Sequence, residues 1–183
     1  PAALRRVLSS SLTDFLASSL VLTIAVFGAI VNFQLIALPM SEMVGGTTHL
    51  GSLRMADVAA LVIIMVEITM GLFLLESLRI THLFPAIHSL DDHLRRKLLV
   101  VTLIILVIFA TIESSLAYMR DMLSLDREAL TQSLAGIEQV NAEFRWIPSI
   151  GQMVLGFILP FSLAFVAIPL ESFIHAARTV AGL

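Results

Sequence analysis

Four long blocks of mostly apolar residues dominate this sequence, close to residues 12–39, 55–84, 96–120 and 147–175. Each is near or above the roughly 20 residues that a helix needs to cross a hydrocarbon core of about 30 Å. A helix of a soluble core keeps a polar face and shorter apolar runs. Composition agrees: 58% of residues are hydrophobic and 14% charged, where a soluble domain has roughly 45–50% and about 25%. The mean hydropathy is +0.97. The first block is too long for the core of a signal peptide and reads as a spanning helix. The expected fold is therefore an all-α membrane protein. It has four transmembrane helices in a bundle, at about 12–39, 55–84, 90–120 and 147–175, and forms a single polytopic membrane domain.

The second block, Met55 to Phe84, carries two carboxylates, Glu67 and Glu76, where charge is costly. As one helix its 30 residues rise about 45 Å, which takes it past the membrane on the side of Arg79 and His82. Nine residues at about 100° each place the two glutamates on opposite faces. Each face is then expected to meet protein or water, which makes this helix central.

Proline and the interfacial residues set the other boundaries. Pro39 is expected to end the first helix and Pro85 the second. Residues 40–54, with Gly45, Gly46 and Gly51, read as a loop. In the first helix Ala25/Ala29 and Gly28/Asn32 are four residues apart and allow a close helix contact. Leu130, Leu134, Ile137 and Phe144 recur at helical spacing among acidic and basic residues. That pattern predicts an amphipathic surface helix over about 125–144, between the third and fourth spans. Tyr118 and Trp146 are the expected interfacial anchors. Pro160 and Pro169 predict a bend in the fourth span. Seven basic residues (Arg5, Arg6, Arg79, Arg95, Arg96, Lys97 and Arg178) fall on the side of the termini, and four (Arg54, Arg120, Arg127 and Arg145) on the other. The positive-inside rule then puts both termini in the cytoplasm of a bacterial-type inner (plasma) membrane.

With that topology the polar residues fall into two layers. An outer layer holds Glu67, Glu113, Asn32 and Gln34, with Thr111, Ser114 and Ser115 nearby and Gln152 close in depth. An inner layer holds Asp14, Glu76, Arg79, Glu171 and His175. Glu171 and His175 are four residues apart, and Arg79 is three from Glu76, so each pair is expected to touch. Two carboxylates at one depth repel, so one of the pair is expected to hold a proton, which suits a group that exchanges protons or holds a cation. The alternative for each residue is a satisfied internal hydrogen bond or salt bridge, or a counter-charge from another chain. For the inner layer, near the headgroups, the structural role is favoured.

Several chemistries are set aside. There is no cysteine, which removes disulfides, thiolate metal sites and cysteine nucleophiles. Phosphate loop, nucleophile elbow and HExxH motifs are absent, so no enzymatic activity is expected. Bis-histidine haem needs imidazoles from facing helices, and only His82 and His175 are candidates. A di-iron site wants paired Glu-x-x-His motifs, which Glu171 and His175 do not make. No cofactor or metal is therefore expected. A net charge of -3 gives no footprint for nucleic acid. The first functional reading is a subunit that anchors or scaffolds a larger homo- or hetero-oligomeric membrane complex, with the bilayer, itself and other membrane subunits as partners. The alternative is a channel or ion/proton-translocating subunit that uses the intramembrane carboxylates.

Overall fold

The computed structural model describes residues 2–136 and 146–181, with side chains from residue 11 onwards in the first helix. The described residues are all-α apart from one small hairpin. Its elements are α1 (Ala2–Val44), β1 (His49–Leu50), β2 (Leu53–Arg54), α2 (Met55–Ser77), α3 (Pro85–His88), α4 (Asp92–Leu134), α5 (Trp146–Ala164) and α6 (Ala167–Ala181). Four helical stretches are long and apolar enough to cross a membrane, with α5 and α6 together forming the fourth. Between 17% and 28% of the most apolar window of each stretch is buried inside the chain. The remaining apolar surface faces outward, which fits a bilayer as solvent and not water.

The core is small and sits where α1, α2, α4 and α5 meet, around Ile36, Ala37, Ala60, Ile64, Leu116 and Leu163. As expected, α2 is central and packs on α1, α4, α5 and α6. Two glycines set the closest approaches. A Cβ on Gly71 of α2 would lie 2.3 Å from Ala164 Cα of α5. A Cβ on Gly156 of α5 would lie 2.8 Å from the Glu113 carbonyl oxygen of α4. Gly28 of α1 does not take this role, since nothing lies within 4 Å of a Cβ built on it, whereas Ala29 packs against the core.

Several expected boundaries are corrected. α1 runs through Pro39 to Val44. A proline costs a helix one backbone bond, and at a packed position that loss is tolerated; Pro39 is buried. Residues 40–54 are then not one loop. The helix takes the first five, and a hairpin pairs His49 with Arg54 and Leu50 with Leu53. Gly51, at φ 66°, supplies the left-handed backbone of that turn. Arg54 clamps the hairpin to the first turn of α2 through two hydrogen bonds to Asp57, at 2.8 and 3.0 Å.

The second helix stops at Ser77, well before Pro85. Ile80 N–H bonds to the Leu75 carbonyl and Arg79 N–H to the Glu76 carbonyl, at 2.9 and 3.0 Å. This is a Schellman closure with Arg79 in the left-handed position, φ 59°, where glycine is usual. The third span does not end near residue 120. α4 is one helix of 43 residues with no proline or glycine inside it. It closes at Gly136, φ 68°, whose N–H bonds to the Ser133 carbonyl. Residues 125–134 therefore continue the spanning helix and form no separate surface helix, and residues 137–144 of that expectation lie outside the described residues. The bend in the fourth span is present. α5 stops at Ala164 and α6 starts at Ala167, four residues after Pro160 and two before Pro169.

Candidate functional site

Three of the four outer-layer residues meet. Glu67 of α2 is fully buried, Glu113 of α4 is 3% exposed and Asn32 of α1 is 1% exposed. Asn32 Nδ2 donates to Glu113 Oε1 at 3.2 Å. The Glu67 carboxyl lies within electrostatic and hydrogen-bonding reach of Glu113. Four acceptor oxygens of this cluster have no hydrogen-bond partner: both of Glu67, Glu113 Oε2 and Asn32 Oδ1. Buried polar groups are normally paired, so four orphaned acceptors in three touching side chains is unusual.

Glu113 and Asn32 line a cavity of about 150 Å³ that extends along α1, α4 and α5 to Arg120 and Gln152. Arg120 and Gln152 are half-buried, so this end approaches the surface. The Arg120 guanidinium donates to Gln152 Oε1. One turn on, the Ser149 hydroxyl donates to Asp121 Oδ2. These bonds hold α5 against α4 on the side away from the termini, and the tight packing at Gly156 does so beside Glu113.

Not all of the expected outer layer belongs to the cluster. Gln34 is exposed on the other side of α1, because two residues along a helix turn about 200°. Thr111 and Ser115 are exposed, and their hydroxyls bond to carbonyls of their own helix. In the sequence Arg120 stands out only as a basic residue of the outer side. Its seven-residue spacing from Glu113, two helical turns on one face, was the signal that places both on one cavity.

The inner layer is a different construction. Glu76 is buried, with 1% exposure, but is richly partnered. It accepts from Thr81 Oγ1 (2.8 Å), Leu83 N–H (3.1 Å) and Phe84 N–H (2.9 Å). His88 Nε2 lies 3.0 Å from Glu76 Oε1 and 3.0 Å from the Thr81 carbonyl oxygen. Both neighbours are acceptors, so Nε2 carries the hydrogen. The partner expected for Glu76 was Arg79. Arg79 is exposed instead, and among the described residues it forms no ion pair with Glu76. Its left-handed backbone turns the chain so that residues 81–84 reach the carboxylate.

Glu171 of α6 holds the same segment from the other side. It accepts from the His82 N–H at 2.7 Å and stands 3.7 Å from both His82 Nδ1 and His175 Nε2. The expected contact between Glu171 and His175 is thus present. The His82 and His88 rings stack at 4.6 Å. Asp14 is exposed. Tyr118 and Trp146 are 46% and 58% exposed, as residues meeting the surroundings of the bundle must be. Among the described residues no group of three or more His, Asp or Glu side chains is arranged to hold a metal ion.

No protein-family model, curated protein or solved structure matches this chain.

Proposed function

We propose that this protein moves protons or small cations across a membrane through the carboxylate pair Glu67 and Glu113. The observation that carries the reading is Glu67: fully buried, within hydrogen-bonding reach of a second carboxyl group, with no N–H or hydroxyl donor on either oxygen. An ionisable residue inside a membrane is costly, and one kept only for helix register would be expected to have a satisfied partner. Glu76 is such a case; Glu67 is not. The chain sits in a bacterial-type inner membrane with both termini in the cytoplasm, on the strength of its basic residues.

A second reading is an anchoring or scaffolding subunit of a larger homo- or hetero-oligomeric complex. What favours it is the part of α4 past Arg120, on which Leu130 and Leu134 are 64% and 90% exposed. The polar groups on both faces of α2 add little to it, since Glu67 and Glu76 both find neighbours within the chain. The test is the pair of variants Glu67→Gln and Glu113→Gln in proteoliposomes, read for proton flux, alongside the mass of the intact complex in mild detergent. Flux lost with assembly intact supports translocation. No flux from the native protein, with a stoichiometric second protein lost in the variants, supports the anchor.

A further inference from the structure

We propose that Glu67, Glu113 and Asn32 form a site for one monovalent alkali cation, loaded through the cavity that reaches Arg120 and Gln152. This rests on the translocation reading and specifies the ligand. Two independent observations point to it. The first is the set of unpartnered oxygens, four acceptors on side chains 0%, 3% and 1% exposed. A shared proton joins two oxygens and leaves the other two without a partner. An oxygen-seeking cation can take several at once, which is the donor set that hard cations prefer. The Asn32 amide is oriented for this, since its nitrogen is spent on Glu113 Oε1 and its oxygen remains free.

The second observation is charge. Glu67 on α2 and Glu113 and Arg120 on α4 are the charged side chains at the cluster and its cavity among the described residues. α1 and α5 contribute only the neutral amides Asn32 and Gln152 there. Two carboxylates and one guanidinium leave a single negative charge. One monovalent cation completes neutrality and a divalent ion exceeds it, in a region where net charge is strongly disfavoured. A proton supplies the same single charge, so protons and the cation compete for one vacancy. Arg120, tied to Gln152 at the far end, stays as the fixed counter-charge.

The experiment is equilibrium binding of radioactive sodium to the purified full chain in lipid nanodiscs. It is repeated with potassium, calcium and N-methylglucamine as competitors at constant ionic strength and at several pH values. The expected result is one sodium per chain, displaced by potassium but not by N-methylglucamine. The apparent affinity should fall about tenfold per unit of pH on the acid side, where one proton displaces one ion. Glu67→Gln, which keeps the shape of the side chain, should abolish binding, and its far-UV circular dichroism should match the native protein. Asn32→Ala should weaken binding at least tenfold. Absence of sodium and potassium binding to the native chain overturns the proposal, as does displacement by calcium alone or undiminished binding to folded Glu67→Gln. Proton flux in liposomes that is indifferent to sodium also overturns it, while leaving translocation standing. Absence of both flux and binding in the native protein removes both readings.

Discussion

Glu76 and Glu67 show how little the residue type decides at these positions. Both are buried glutamates of α2, nine residues apart. Glu76 collects the donors of a whole turn, whereas Glu67 collects none. Glu76→Ala leaves the Thr81 hydroxyl, two backbone N–H groups and His88 Nε2 without that acceptor. At about 1–3 kcal/mol for a buried donor left unpaired, the loss should reach about 3 kcal/mol. A drop in thermal midpoint in detergent, with new protease cleavage within residues 78–90, is the expected outcome; an unchanged midpoint would refute this account of the turn. Arg79→Gly should act in the opposite direction. A non-glycine residue in left-handed backbone carries about 1 kcal/mol of strain, and Arg79 has no ion pair with Glu76 to lose. The variant should melt slightly higher, read by the same thermal scan.

The helices are held together by small residues and a few polar ties, as suits elements whose outer faces meet lipid. The three glycines Gly71, Gly156 and Gly28 form a graded test. A methyl on Gly71 runs into Ala164 backbone at 2.3 Å, one on Gly156 into Glu113 carbonyl at 2.8 Å, and one on Gly28 meets nothing within 4 Å. Gly71→Ala and Gly156→Ala should each cost about 1–3 kcal/mol, because backbone cannot yield as a flexible side chain does. Gly28→Ala should be neutral or stabilising by up to about 1 kcal/mol, from helix propensity alone. Midpoints of thermal unfolding should rank Gly28→Ala above native or equal to it, and both other variants below. Gly156→Ala should also impair flux, since it presses on the backbone of Glu113.

For the whole molecule, the fold places the start of α1, the end of α6 and the turn between α2 and α4 at one end, with the hairpin and the far end of α4 at the other. The chain has no cysteine, so single cysteines report cleanly on sidedness. Cysteines at Ser89 and at Thr47 should be labelled by an impermeant maleimide from opposite faces of sealed vesicles. Labelling of both from the same face would require an even number of crossings between them and contradict the four-span arrangement, in which α2 alone separates the two positions. Class and span number were legible in the sequence, because a long apolar run has few alternatives: in lipid the backbone must satisfy itself, and a helix does so within one segment. The α5–α6 break was legible too, since proline acts locally. The ends of α1, α2 and α4 were not. Pro39 is carried through by packing, Ser77 ends a helix without any breaker because Glu76 captures the chain beyond it, and α4 runs on because nothing local stops it. Sequence depth alone put Glu67, Glu113 and Asn32 in one layer. Which face of its helix each presents, and so that Asn32 joins the pair while Gln34 turns away and Arg120 shares the cavity, is a matter of helix rotation. Rotation follows from contacts between segments far apart in the chain, and only the tertiary structure decides it.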